Sequence, residues 1–450
     1  MQTTAPDLRL QTSYKQILQL AMPISLAMLV PQINFITNNI FLGGLGEHAL
    51  ASAAITGVYY LIFAVIGSGL NNGLQSLIAR KAGKNQHPAI GKLFLHGIWA
   101  ALGISVVGIV ATYTISPMIL QSSIRNGMIA EEVIAFIKIR IWGLPLLYLY
   151  ALHNALLVGT NQTKFLIWGT LSEALTNIFF DYAFIYGHFG LPYIGFNGAA
   201  YASIVAEGAG LLVISTVIHT KGLYRVFSFF ENWRPKWPFT QLILVKSLPL
   251  ILQYALSIIT WEFFYLLIEH HGARDLAVSN TMRNVFGIAG ISAWAFAATS
   301  NTMVSNVIGQ GKTEEVVPLI LRISKVSFVS AFVIFMMLNV YPEILLSLFG
   351  QGEDFIAYAT PVLRVVSSAL LLQSFSVVWL NAVTGTGNTL VNLMIELITL
   401  LIYIAYVYIV LEIWNLSIVW GWVSEWVYWI SMFSMSFAYV RSGRWKKRSS

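Results

Sequence analysis

The feature that most constrains this chain is a set of apolar runs with no polar face. "VSFVSAFVIFMMLNVY" (326–341) and "LVNLMIELITLLIYIAYVYIV" (390–410) are apolar around their whole circumference. As helices they are long enough to cross a hydrocarbon core of about 30 Å, whereas a soluble core helix of that length would keep a polar stripe. Composition agrees. Only 10% of the 450 residues are charged and 57% are hydrophobic, with a mean hydropathy of +0.71. A soluble domain carries about a quarter charged residues, so this chain cannot cover itself with polar surface. An all-α integral membrane protein is expected. The first twenty residues are polar and mixed, which makes the first membrane helix the expected uncleaved insertion signal. There is no cysteine, which excludes disulfides, thiol catalysis and thiolate metal sites.

Breaks at charged, Gly and Pro clusters divide the chain into twelve spans. The first half gives 15–42, 49–79, 93–116, 133–158, 165–187 and 199–219. The second half gives 243–268, 276–308, 317–340, 361–383, 389–411 and 417–438. Alternate connections collect the basic residues. Arg80, Lys81, Lys84, Lys92, Lys164, Lys221, Arg225, Arg234, Lys236, Lys246, Lys312, Arg322, Lys325 and both terminal segments fall on one side, so that 20 of the 26 Lys and Arg lie there. The positive-inside rule then places both termini in the cytoplasm of a multi-pass protein in the cell (inner) membrane. Under this reading the net charge of +7 reflects topology rather than nucleic-acid binding, and the tail "RSGRWKKRSS" is an orientation signal.

The sequence repeats itself at one constant offset. Pro23 meets Pro249, Gly46 meets Gly272, Leu50–Ala51 meet Leu276–Ala277, and Gly83 meets Gly309. "GTNQT" from Gly159 meets "GTGNT" from Gly385. One register held on Gly, Pro and turn positions points to duplication. Six spans per repeat is even, so both halves share one topology, an arrangement suited to alternating access around a central site. The expected organisation is a six-helix lobe over 1–220, a cytoplasmic linker over 221–241, a second lobe over 242–440 and a basic tail over 441–450.

A charge in mid-span costs about 2.5–3.5 kcal/mol on insertion scales and must face a bundle interior or a wet cavity. Asp181 in "TNIFFDYAFIY" is the clearest case. It lies roughly 25 Å along the fifth span, in the outer half. Glu173, Asn177 and Asp181 are spaced by four and share one helix face. Such a stripe offers hard oxygen ligands for a cation, or a carboxylate for a proton. The first span brings Asn34 and Asn38, with Asn39 beside them, to a similar depth. Ser203 and the Ala199 carbonyl of "GAAYAS" open the sixth span and could complete an oxygen-rich pocket.

The second half supplies Glu262, with Arg283 as a possible partner, and the deeper Glu396 and Glu425; Glu207 lies at mid-depth in the sixth span. Plainer roles stand beside these. The asparagines could only link helices, Glu262–Arg283 could be a static clamp, and Glu425 could be a structural partner. Lys138 and Arg364 are expected to snorkel. "EHH" at Glu269–His271 resembles a metal cluster but sits at a helix end. No HExxH, GxSxG or phosphate-loop pattern occurs, so an enzyme has little support.

Over nearly its whole length the chain resembles the multidrug and toxic compound extrusion (MATE) family. The resemblance rests on the "LAMP" of the first span, "IFLGGLGEHALA" across the first outer turn, "VIGQGK" after the eighth span and "GTGNT" before the eleventh. It implies a V-shaped pair of parallel six-helix lobes that exports organic cations or related compounds against inward H⁺ or Na⁺; an amphipathic or cationic cargo, no cofactor and a monomer are expected beside it. It implies the first lobe's cation site at Asn177 and Asp181, with Ser203 and the Ala199 carbonyl, and Na⁺ as one possible occupant. Asn38 stands where the family commonly has an aspartate. Ser257 stands where some members carry an acid, leaving Glu262 as a displaced candidate. The tenth span offers Gln373 and Asn381 in place of an acid. A lipid-linked oligosaccharide or polysaccharide flippase of the wider superfamily is the alternative, and it should show several basic residues facing the cavity. A passive channel or scaffold is the third.

Overall fold

The structure is a computed structural model that describes residues 6–229, 234–347 and 352–448. Part of the expected linker (230–233) and the last two residues of the tail lie outside the described residues. Every regular element among the described residues is helical. Nine helical runs among them are long and apolar enough to cross a membrane. The other three expected spans are also helical. They are Leu166–Tyr186, which carries the polar stripe, Ala273–Gly309, broken at Gly290, and Ile418–Arg441, broken at Val423.

The expected span limits hold to within a few residues at most ends. Larger differences occur where a helix extends past the apolar run. The seventh span starts at Trp237 and the tenth at Glu353, and the fourth starts at Gly127, where the Asn126 side chain caps the amides of Met128 and Ile129. Capping and polar residues near these starts, Asn126 before the fourth span and Glu353–Asp354 in the first turn of the tenth, belong to the helices but not to the apolar runs, so hydropathy alone misses them.

The sequence repeat is visible in the backbone. Gly46 and Gly272 precede the second and eighth spans with φ/ψ of 103°/177° and 113°/169°, a conformation open in practice only to glycine. Asn85 and Gly311, Asn161 and Gly387, and Phe189 and Asn415 are further left-handed pairs at the same offset. A side chain on Gly159 would stand 3.2 Å from the Gln75 carbonyl, and one on Gly385 would stand 2.8 Å from the equivalent Asn301 carbonyl. The glycines of "GTNQT" and "GTGNT" thus let one helix end lie against another backbone.

Two compact units result, Met1–Leu8 with Leu26–Ile251, and Arg9–Ser25 with Leu252–Ser450. The first and seventh helices each change unit part-way, after Ser25 and after Ile251, which are equivalent positions of the repeat. Ile17, Leu20 and Ala21 accordingly belong to the core built by Phe264, Phe296 and Met303. Ser247 and Ile251 lie against Gly73 and Gly69. In the second unit the "VIGQGK" turn anchors the N-terminal segment. Asn306 Oδ1 accepts from the Leu10 amide at 3.0 Å, and Gln310 Nε2 donates to the Leu10 carbonyl at 2.9 Å.

The described part of the linker packs on the third span, with Phe229 stacked on Phe94 at 4.9 Å and the Lys236 amide donating to His96 Nε2 at 3.0 Å. The tail is also docked. Trp445 is fully buried, and Lys446 Nζ lies 2.8 Å from Glu314 Oε1.

Candidate cation site

The fifth span runs from Leu166 to Tyr186 and ends on Gly187 in the left-handed region. The sixth span begins at Phe196 and returns against it so closely that a side chain on Gly198 would stand 2.8–2.9 Å from the Phe184 and Ile185 backbone. Deeper in, one on Gly210 would stand 3.1 Å from Glu173 Cβ and 3.3 Å from the Gly169 carbonyl. Ala199, Ala200, Ala202 and Ala206 are buried between these glycines. In lipid there is little hydrophobic drive between helices, and small residues that let backbones approach take over that role. "GAAYAS" is therefore first of all a packing seam.

This seam carries the polar stripe. Asp181 is completely buried, Asn177 is 4% exposed and Glu173 is half-buried. Neither carboxylate oxygen of Asp181 has a hydrogen-bond partner among the described residues, and the same holds for Asn177 Nδ2. The C-terminal end of the first span packs one turn beyond this level. Tyr186 donates to the Phe41 carbonyl at 2.7 Å, Phe41 packs on Tyr182, and Leu42, Ile185, Phe196 and Ala199 form one apolar cluster. Asn34 and Asn38 are half-buried, each with an Oδ1 unpartnered among the described residues, while Asn39 is exposed. Ser203 is half-buried. The structure thus gathers Asn34, Asn38, Asn177, Asp181, Ala199 and Ser203 into one unit, with none of them hydrogen-bonded to Asp181.

One group in this unit was not anticipated. The fourth span is interrupted by a tight turn at Ile141–Gly143. This turn directs Arg140 inward, onto Glu207 of the sixth span. Arg140 Nη1 lies 3.0 Å from Glu207 Oε2, and Nη2 pairs with Oε1. The side chains are 11% and 5% exposed. The guanidinium also sits 4.0 Å from the Tyr60 ring centre. The available signal was Arg140 lying two residues beyond Lys138, hence on another helix face.

In the second unit the Glu262–Arg283 pair forms, at 3.4 Å, with Arg283 also beside the Trp261 and Tyr265 rings. Both partners are exposed by more than 40%. Glu396 is fully buried. It accepts from Ser257 Oγ at 2.6 Å, the Tyr428 hydroxyl at 2.5 Å and Gln253 Nε2 at 3.4 Å. The eleventh span therefore brings an acid to Ser257, the position where an acid on the seventh span was looked for. Glu425 accepts from the indoles of Trp261 at 3.3 Å and Trp429 at 3.0 Å. Gln373 is buried with Oε1 unpartnered among the described residues, facing the helix break at Gly290. The "EHH" histidines are bound locally. His270 pairs with Glu412 at 2.6 Å, and His271 donates to the Leu411 carbonyl at 3.1 Å.

The MatE family model matches this chain twice, over residues 23–183 and 249–409, two stretches related by the same offset as the backbone repeat. The chain is 21% identical to a probable multidrug resistance protein NorM of Thermotoga maritima, over 97% of this chain and 94% of that one. It is 20% identical to a protein of the same description from Agrobacterium fabrum, over 86% and 84%. Among solved structures it superposes on MATE in complex with MaL6 with a TM-score of 0.90 at 19% identity, covering 99% and 100%. It also superposes on an outward-facing multidrug resistance MATE family transporter of the MOP superfamily, with a TM-score of 0.86 at 19% identity and 99% of each chain covered. With the family model covering most of the sequence in two copies, and the fold shared along its full length, this chain is a multi-pass membrane protein of the MatE family.

Proposed function

We propose that the chain is a secondary active transporter that exports amphipathic, cationic small molecules in exchange for H⁺ or Na⁺. It would sit as a monomer in the cell (inner) membrane, both termini cytoplasmic, with lobes over 1–220 and 242–440. The observation that carries this is Asp181, a buried carboxylate on the fifth span with both oxygens unpartnered among the described residues. A bare anion in such a place is prohibitively costly, so it holds a proton or a cation. A cation that binds one conformation more tightly than the other shifts the equilibrium between them by its differential affinity, and a substrate competing for the same conformations is driven the other way. The membrane potential adds about 2.3 kcal/mol per charge per 100 mV.

The polarity of the site supports cationic rather than anionic cargo. Around the stripe of the first unit, Glu173, Asp181 and Glu207 outnumber Arg140, whereas a flippase for anionic lipid-linked saccharides calls for an excess of basic groups. The multidrug description of the relatives supports the same reading. Asn177, Asn38, Asn34, Ser203 and the Ala199 carbonyl are the neutral oxygens available to Na⁺. Glu396 with Ser257 is the second-lobe candidate, ahead of the exposed Glu262–Arg283 pair and the acid-free surroundings of Gln373.

The test is uptake of a fluorescent organic cation, such as ethidium, into inside-out vesicles under an imposed pH or Na⁺ gradient. Asp181→Asn is expected to reduce gradient-driven uptake at least tenfold. Undiminished uptake by the variant would sink the proposal, and the gradient that drives the wild type names the ion.

A further inference from the structure

The Arg140–Glu207 pair is not accounted for by stability. A buried ion pair is, as a rule, no more stabilising than apolar residues of the same volume. This one is also built with care. It bridges the fourth and sixth spans in two-point contact, and Tyr60 of the second span covers the guanidinium. Gly143 leaves it room, since a side chain there would stand 2.5 Å from both Arg140 Nη1 and Glu207 Oε2. Glu207 is one turn from Gly210, the residue packed on Glu173. A fixed cation therefore stands next to one end of the Glu173–Asn177–Asp181 stripe.

We propose that Arg140 is a positioning residue for the exchangeable cation: a tethered positive charge that permanently satisfies Glu207 and sets how tightly Glu173 and Asp181 hold a mobile cation. Of the three carboxylates at and beside the stripe, Glu173, Asp181 and Glu207, one is then withdrawn from exchange and two remain. The pair contributes a guanidinium dipole pointed at the stripe, whose net charge is zero while both members are present. Removing Arg140 releases Glu207 as a third negative group and tightens cation binding. Removing Glu207 leaves Arg140 unpaired and weakens it. Removing both leaves the net charge of the site as it was.

The inference rests on the reading of Asp181 as the cation acceptor, and one experiment separates the two. In proteoliposomes, the concentration of coupling cation that half-saturates transport is measured for the wild type and for Arg140→Gln, Glu207→Gln and Arg140→Gln/Glu207→Gln. Cation-dependent thermal stabilisation of the purified proteins is the second readout. Charges a few ångströms apart in a medium of intermediate dielectric change an affinity by about tenfold or more. Arg140→Gln is expected to lower the half-saturating concentration about tenfold and Glu207→Gln to raise it about tenfold. The double variant is expected to return to within about threefold of the wild type. Shifts in the same direction, or a double variant no nearer the wild type than the singles, overturn the inference. If the singles do not fold, the double variant still decides, and a tenfold displacement of its midpoint counts against the proposal. Asp181→Asn is the control. If it retains wild-type cation dependence, the reading of the site itself is wrong. If it loses that dependence while the Arg140 and Glu207 variants do not move, only the present inference falls.

Discussion

Three kinds of buried acid separate at the scale of single residues. Asp181 has no partner among the described residues, Glu207 has a fixed cation, and Glu396 has three neutral donors. The donors around Glu396 make a measurable claim. Losing a hydrogen bond to a buried polar group costs about 1–3 kcal/mol, because the group left behind is unsatisfied. Tyr428→Phe should therefore lower stability by about 1–3 kcal/mol, seen as a lower Tm in detergent. In a Glu396→Leu background the same change should cost much less, and an equal cost in both backgrounds would show that Tyr428 acts by packing alone. Glu262→Gln is the contrast. Its pair with Arg283 makes one contact at 3.4 Å and leaves both side chains more than 40% exposed, so a smaller loss in Tm than for Tyr428→Phe is expected. Asp181, Asn177 and Glu173 were legible in the sequence because a charge in an apolar run violates its solvent and is visible by subtraction. Arg140 was not, since it follows Lys138 near a helix end and reads as another snorkelling base. Its inward course depends on the turn at Ile141–Gly143, which composition does not encode. The meeting of Glu396 with Ser257 joins residues 139 positions apart, a pairing that only tertiary structure reveals.

Elements in this protein are positioned by glycine as much as by hydrophobicity. The twelve spans were readable because length and all-round apolarity are what a bilayer demands, and the repeat was readable because its shared positions are Gly, Pro and turn residues. What could not be read were the interruptions inside spans, at Ile141–Gly143, Gly290 and Val423, which cost little hydropathy. The glycines divide into those whose backbone needs them and those that merely occur. Gly46→Ala and Gly272→Ala force a Cβ into φ above 100°. Each should destabilise by about 1–3 kcal/mol, and by similar amounts, because they are the same position of one repeat. Gly57 is helical with open space around it, so Gly57→Ala should be neutral or stabilising by up to about 1 kcal/mol. Gly198→Val is the severe case, because its Cβ meets backbone rather than a side chain that could turn aside. Thermal melts of the four variants order these effects. A Gly57→Ala protein as unstable as Gly46→Ala would refute the backbone argument.

At the scale of the whole molecule, parallel repeats make a prediction that individual spans do not. With six spans per repeat, equivalent positions of the two repeats lie on the same side of the membrane. An odd count would put them on opposite sides. Nine helical runs among the described residues meet a strict apolarity standard, and the three polar or broken ones determine the parity, so experiment decides it. The absence of cysteine makes the natural chain a clean background for thiol labelling. Lys84 and its equivalent Gln310 follow the second and eighth spans, and Phe189 and its equivalent Asn415 occupy left-handed turns after the fifth and eleventh. Lys84, Phe189 and Asn415 are exposed. In intact cells, a membrane-impermeant thiol reagent should label Phe189→Cys and Asn415→Cys. Lys84→Cys and Gln310→Cys should react only after permeabilisation, because the positive-inside rule assigns the basic residues beside them to the cytoplasm. Labelling that split a pair would break the parallel repeat. Inverted labelling of all four would keep the repeat but reverse the direction in which a proton or Na⁺ reaches Asp181, turning the proposed exporter into an importer under the same gradient.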